Sequence, residues 1–265
     1  MKKMLIALTA AAAFTGSAYA ADLPARMPVK AAPPPPPVAS WTGCYIGGGG
    51  GYGLWNQENT EFTDVPRVQT TYTATNGGRG YFGTVQGGCD YQFGLGNWQL
   101  VVGGFADGDW GNIHGNTNGF AGFASGLNGD EKMSSAWAVG GRIGVVITPN
   151  LMTYFSGGYT EATFDRTNFS QWLVGFPNPG VFIDQRVYRG YFLGAGDEYA
   201  LNFLPGLFWK TEYRVSEFDG RTDPFRITAT GLTFNQLDVS KKWVQTVRSE
   251  LVYRFNWGGP VVARY

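Results

Sequence analysis

Apolar and polar residues alternate along most of the chain after residue 40, as they do in β-strands whose two faces meet different surroundings. The clearest run is 207–216, where one face holds Leu207, Trp209, Thr211, Tyr213 and Val215 and the other holds Phe208, Lys210, Glu212, Arg214 and Ser216. In 133–147 the same alternation places Met133, Trp137 and Ile143 on one face and Arg142 on the other. The pattern predicts an all-β fold.

Eight segments of this kind are predicted as strands, and the connections between them alternate in length. The strands are 41–55, 80–94, 98–110, 133–148, 151–164, 189–200, 207–218 and 242–255. Short turns alternate with long polar segments near 56–79, 111–132, 165–188 and 219–241. Loops this long are uncommon in a compact soluble domain. Transmembrane barrels have this plan, with crossings of at least about 9–11 residues. We therefore predict an eight-stranded antiparallel up-and-down transmembrane β-barrel over 41–255, with long extracellular loops.

The polar faces of these strands carry equal numbers of acidic and basic side chains. The set is Asp90, Asp107, Glu198, Glu212, Glu250, Arg142, Lys210, Arg214, Arg248 and Arg254. An eight-stranded barrel is filled by its own side chains, and buried charges must be paired. The equal numbers favour a salt-bridged plug, with a small aqueous conduit as the alternative. Asp109 and Arg254 are expected at the wet ends of the barrel.

Aromatic residues cluster near both ends of the predicted strands, as the interfacial girdles of a membrane barrel require. The two groups are Trp41, Tyr91, Phe93, Trp98, Tyr199, Trp209, Tyr253 and Phe255 on the short-turn side, and Tyr52, Trp55, Tyr81, Trp110, Trp137, Tyr159, Tyr191 and Trp243 on the long-loop side.

Residues 1–20 have the plan of a cleaved export signal. Lys2 and Lys3 precede an apolar run over 4–14, and Ala18 and Ala20 provide the small residues at positions −3 and −1 of the cleavage site. Cleavage after Ala20 leaves a Pro-rich periplasmic leader over 21–40, which favours an extended conformation. An export signal followed by a membrane barrel predicts location in the cell outer membrane, with the lipid bilayer as a partner.

Composition rules out a chain that is disordered throughout and disfavours nucleic-acid binding. Aromatic residues make up 16% of the chain and charged residues only 15%, whereas a disordered chain is charge-rich and aromatic-poor. The 20 basic residues are balanced by 20 acidic ones. That balance disfavours nucleic-acid binding, which relies on an excess of positive charge to neutralise phosphates.

Cys44 lies near the start of the first predicted strand and Cys89 near the end of the second, so antiparallel pairing brings them close. Two cysteines in an exported chain most often form a disulfide. Free thiols and an intermolecular bridge are the alternatives. Two cysteines and one distant histidine are too few ligands for a metal site.

His114 is the single histidine, within the predicted long segment 111–132. Its candidate catalytic neighbours are Asp107, Asp109, Asp130, Ser125, Ser134 and Ser135. A histidine in a Gly/Asn-rich loop is more often solvent-exposed than a haem ligand or a catalytic base, and the chain has no G-x-S-x-G turn. We therefore expect no enzyme activity, no cofactor and no metal.

Several motifs resemble those of RopB-type outer-membrane proteins of alphaproteobacteria, a family akin to the membrane domain of OmpA and to opacity proteins. The motifs are the opening W-T-G-C-Y-I-G-G at 41–48, A-D-L-P at 21–24, G-A-G-D-E-Y-A at 194–200 and Y-R-F-N-W-G-G-P at 253–260. The resemblance implies an eight-stranded outer-membrane barrel with roles in envelope integrity, surface contact or, in some relatives, haemin binding.

The resemblance also implies an assembly signal. Barrels of this kind end on an aromatic residue that the barrel-assembly machinery reads, which corresponds to Phe255, and ten residues, 256–265, follow it here. We expect a monomeric structural protein that supports the envelope and presents surface loops. A narrow porin-like conduit for small solutes is the alternative, as is binding of haemin or another surface ligand.

Overall fold

The computed structural model describes residues 39–118, 127–171 and 180–255. The predicted signal, the leader up to residue 38 and the extension 256–265 lie outside these residues. In the described part of the chain there are eleven strands: β1 (Gly43–Phe62), β2 (Ala74–Leu95), β3 (Trp98–Asn118), β4 (Leu127–Thr148), β5 (Leu151–Phe164), β6 (Thr167–Gln171), β7 (Val181–Ile183), β8 (Arg186–Ala200), β9 (Leu207–Phe218), β10 (Arg221–Ile227) and β11 (Thr233–Phe255). Among the described residues there is no helix that is long and apolar enough to span a membrane.

Eight of the strands close into a ring of antiparallel neighbours in the order β1-β2-β3-β4-β5-β8-β9-β11, with β11 pairing back onto β1. Starting at Asn116 on β3 and moving from each residue to its direct partner on the next strand, through β2 and β1 and on around the ring, leads back to β3 at Ala106. The ring therefore closes with a stagger of ten residues. Eight strands with this stagger tilt by about 40° and enclose a barrel of about 8 Å backbone radius. The predicted eight-stranded barrel is confirmed.

The three remaining strands continue the barrel on the long-loop side. A two-residue break separates β5 from β6, β7 from β8 and β9 from β10. Strand β6 pairs with β4, β7 with β6 and β10, and β10 with β11, so the wall stays closed above the ends of β5, β8 and β9. This upper part is the extracellular extension.

The extension corrects the strand bounds predicted from sequence. Much of the segments near 56–79, 111–132, 165–188 and 219–241, predicted as polar loops, is strand. Outside the bilayer the outer face of a strand is polar as well, so the alternation that marks a membrane crossing disappears while the backbone pairing continues.

Two belts of outward aromatic rings mark the membrane band. Tyr81 and Tyr91, both exposed on β2, are ten residues apart. At a tilt of about 40° ten residues rise about 25 Å, the height of the apolar band of outer-membrane barrels. The upper belt comprises Tyr81, Trp110, Trp137, Tyr159 and Tyr191, and the lower belt Tyr91, Trp98, Tyr199, Trp209, Tyr253 and Phe255.

Three residues assigned to the outer face from sequence are inside. Trp41 and Trp55 are fully buried in the interior rather than in the girdles. Trp55 has the inward phase of β1, and Trp41, two residues before this strand, continues that phase. Met133 is also buried. The pairing of β4 with β5 shifts between Met133 and Ser135, and this irregularity inverts the alternation at that point.

Candidate functional site

The barrel interior is the most chemically distinctive part of the molecule. It holds all ten charged residues predicted on the polar strand faces in buried positions: Asp90, Asp107, Arg142, Glu198, Lys210, Glu212, Arg214, Arg248, Glu250 and Arg254. Ion pairs divide the charged residues of the membrane band into a lower cluster toward the short turns and a middle cluster above it.

The lower cluster consists of Asp90, Arg142, Glu198 and Arg254. Arg142 donates to Asp90 Oδ1 at 3.0 Å and to Glu198 Oε2 at 2.9 Å. Arg254 bridges the same two carboxylates, with 2.7 Å to Asp90 Oδ2 and 2.5 Å to Glu198 Oε1. Two guanidinium groups and two carboxylates therefore form a closed ring that links β2, β4, β8 and β11.

The middle cluster consists of Asp107, Asp109, Lys210, Glu212, Arg214, Arg248 and Glu250. Arg214 donates two bonds to the Asp107 carboxylate, at 3.1 and 2.8 Å, and one to Glu212 at 2.8 Å. Lys210 Nζ lies 3.5 Å from Glu212 and 3.4 Å from Glu250. These contacts tie β3 to β9 and β11 across the lumen.

The structure corrects the positions expected for Asp109 and Arg254. Both are buried rather than at wet ends of the barrel. Asp109 lies well inside the barrel because β3 continues for nine residues beyond it, and its carboxylate accepts a 2.9 Å hydrogen bond from Arg248. Arg254 donates to the Trp41 carbonyl at 2.9 Å, so residues before β1 cover it.

Aromatic residues pack between the charges. The lower set includes Tyr45, Phe105, Tyr154 and Phe192, and the Arg142 guanidinium lies over the Tyr45 ring at 4.8 Å and the Tyr154 ring at 5.1 Å. The upper set includes Trp55, Phe82, Phe164, Tyr188 and Phe218. The interior of the described barrel therefore alternates apolar layers with paired charges along its axis.

An upper charge cluster in the extension was not predicted from sequence. Glu131 pairs with Arg186 at 2.5 Å and with Lys242 at 2.8 Å, and Arg186 lies 3.7 Å from Asp238. All four residues are buried. A signal was present, because Asp238 and Lys242 continue the two-residue phase that places Arg248 inside on β11.

Three buried carboxylates lie side by side beyond the upper belt. Asp238 is the direct strand partner of Glu61 on β1 and of Asp223 on β10. Burial, together with the negative charge of Asp238, raises the pKa of Glu61 to about 7. Burial also raises the pKa of Asp238 to about 6. The extension therefore gains negative charge near neutral pH.

We predict that the extension loosens as the pH rises. The folded-state pKa of Glu61 lies above its ordinary value, so the stability it contributes is present at low pH and lost as the pH rises through about 7. Amide exchange over 57–62 and 237–241, corrected for intrinsic rates, should be faster at about pH 8 than at about pH 5.5. Glu61→Gln should reduce this difference. Glu58→Gln, on the outer face of the same strand, should leave the difference in exchange between the two pH values unchanged. An equal response in both variants would show that Glu61 is not the group responsible.

Cys44 and Cys89 are direct partners of β1 and β2, with Cα atoms 3.9 Å apart and sulfur atoms bonded to each other. Both face outward near the short turns. For the exported protein we predict that neither cysteine reacts with maleimide unless the unfolded chain is first reduced, and that Cys44→Ala makes Cys89 reactive. Labelling of the unreduced wild type would contradict the bond, and a reductant-sensitive dimer would indicate an intermolecular bridge.

No catalytic arrangement surrounds His114 in the described residues. It is exposed on β3, a strand rather than the predicted loop. The carboxylates of Asp107 and Asp109 point inward to Arg214 and Arg248, and Ser134 donates to Asp165 at 2.6 Å. Ser125 lies outside the described residues. The described residues also contain no group of three or more His, Cys, Asp or Glu side chains placed to hold a metal ion.

No family model matches the sequence. Two relatives, both named 31 kDa outer-membrane immunogenic protein, come from Brucella melitensis biotype 1 and Brucella suis biovar 1. Each is 29% identical over 269 residues, covering 96% of this chain and 100% of the relative. The protein is an outer-membrane β-barrel.

A solved structure agrees with this fold. The outer-membrane protein OprG from Pseudomonas aeruginosa is similar with a TM-score of 0.51 at 10% sequence identity, covering 82% of this chain and 99% of that one. The likeness concerns the fold alone. Together the comparisons confirm the predicted barrel and its location in the outer membrane.

Proposed function

We propose that this outer-membrane barrel is a RopB-type protein, akin to the membrane domain of OmpA and to opacity proteins, that stabilises the envelope and presents its extension at the cell surface. It acts without enzyme activity. The observation that supports this role is the interior, in which three clusters of paired charges alternate with aromatic layers along the described barrel.

Such an interior favours a closed barrel over a conduit. An aqueous path would have to separate ion pairs such as Arg142 with Glu198 and Arg214 with Asp107. Breaking one buried pair costs about 3–5 kcal/mol, because it leaves an uncompensated charge. A path along the axis crosses several such pairs, so the closed state dominates.

The rest of the proposal concerns biogenesis and presentation. The export signal is cleaved after Ala20, and the barrel-assembly machinery reads Phe255, which lies on the outer face at the last residue of β11. The barrel works as a monomer. The name of the Brucella relatives describes those proteins as immunogenic, which supports exposure of the extension at the surface.

A deletion strain tests the proposed role. Loss of a structural barrel should make cells more sensitive to detergent and to antibiotics that are too large for porins, and the wild-type gene should restore resistance. Two variants separate loss of the interior from loss of the whole barrel. Lys210→Gln gives a barrel that is present but altered inside, and Phe255→Ala gives one that is not assembled. An intact barrier combined with slower uptake of a small solute would instead favour the conduit.

A further inference from the structure

A groove runs over the outer face of β1, β2 and β3 just above the upper belt. It has a volume of about 740 Å³. The Tyr52 and Tyr81 rings meet edge to face at its lower end, with centroids 4.9 Å apart. Leu54, Arg79 and His114 are direct strand partners in the next outward row. Glycines leave the floor of the groove open.

Arg79 differs from the other outward cations of the ring strands. In the described part of those strands, each of the others pairs with a carboxylate: Lys132 with Asp165, Arg189 with Glu161 and Lys241 with Glu217. The side chain of Arg79 has no ion pair and no hydrogen bond within the described residues, and no acidic residue lines the groove. Its positive charge is therefore available to an anion from outside the chain.

The height of Arg79 identifies the kind of anion. Arg79 is two residues beyond Tyr81, which at a tilt of about 40° puts it about 5 Å above the belt, at the level of lipid headgroups. The aromatic pair and Leu54 offer apolar contacts on the membrane side, and Arg79 and His114 offer donors on the extracellular side. Lys132, the strand partner of His114, extends the basic row to β4.

We propose that this groove binds the phosphorylated sugar headgroup of an outer-leaflet glycolipid, with one acyl chain against Tyr52, Tyr81 and Leu54. Arg79 donates to the phosphate, because a planar guanidinium binds phosphate oxygens in a bidentate manner. His114 donates to the phosphate or to a sugar hydroxyl. The proposal rests on the outer-membrane location and is independent of whether the barrel conducts.

Binding of lipid A to the purified full-length protein in detergent, measured by native mass spectrometry, tests the proposal. We expect lipid A with both phosphates to bind at least about tenfold more tightly than the same lipid without phosphates, since one charge-assisted contact has an effect of that size. Arg79→Gln should remove most of this preference. Millimolar inorganic phosphate should not displace the lipid, because it lacks the acyl contacts.

Two further variants make the test specific. Arg189→Gln removes an outward cation that is already paired with Glu161, and it should bind as the wild type does. Leu54→Glu keeps Arg79 but gives it a carboxylate partner, and it should lose the preference for phosphate. Each variant must keep the boiling-dependent gel shift of a folded barrel. Equal binding of the two lipids by the wild type, equal losses in Arg79→Gln and Arg189→Gln, or displacement by inorganic phosphate would overturn the proposal.

Discussion

Replacement of Arg142 by methionine should lower the free energy of unfolding by about 3–5 kcal/mol, the usual cost of removing one partner from a buried ion pair. The guanidinium binds Asp90 and Glu198 and lies between the rings of Tyr45 and Tyr154. Methionine retains much of the apolar packing, so the loss reports the charge. Arg254 is then left to neutralise two carboxylates alone. Urea unfolding in lipid vesicles, followed by tryptophan fluorescence, measures the change.

Arg189→Met is the matched control for this experiment. Arg189 pairs with Glu161 at 3.1 Å on the outer face, where its side chain is 71% exposed. An exposed pair of this kind contributes about 0–1 kcal/mol. Equal stability of the two variants would show that the lower charge cluster does not hold the barrel together.

Replacement of Gly51 by valine should strongly impair the barrel. A Cβ atom at this position would lie 2.4 Å from the Phe82 ring and 2.5 Å from the Val247 carbonyl oxygen. The ring belongs to the upper aromatic layer and the carbonyl to the wall of β11, so neither can move freely. Overpacking of this kind costs typically about 1–3 kcal/mol, and we expect the upper end of that range together with a reduced yield of folded barrel.

Gly83→Val provides the control, because Gly83 faces outward on the neighbouring strand and a Cβ there has no neighbour nearer than 3.9 Å. This variant should fold like the wild type. The boiling-dependent gel shift and the urea midpoint of both variants give the comparison. A Gly51→Val barrel as stable as Gly83→Val would contradict the packing of Phe82 over Gly51.

Much of the membrane band could be predicted because lipid imposes a strict alternation on each strand. Asp107, Arg214 and Glu250 were assigned to the interior from the apolar residues on either side of them, and the structure places all three there. Their specific partners could not be predicted. Arg214 and Asp107 lie 107 residues apart in the chain and meet across the lumen, which depends on the stagger of the ring rather than on local pattern.

The extension could not be predicted in the same way. Glu131 is buried although both of its outward neighbours, Asp130 and Lys132, are polar, so hydrophobicity does not distinguish the two faces there. Trp41 and Trp55 show the related limit for aromatic residues, since a ring near a strand end suits both a girdle and a core. In β1 a run of glycines at 47–51 also removes the side chains that would reveal the phase.

The central claim is that the interior is closed by paired charges, and single-channel recording in planar bilayers tests it most directly. Purified wild-type barrel, shown to be folded by its boiling-dependent gel shift, should produce no current steps above the lipid baseline. Lys210→Gln, which removes a cation of the middle cluster, is recorded beside it. A steady conductance of the wild type whose ion selectivity changes in Lys210→Gln would contradict the account and establish a conduit through the lumen.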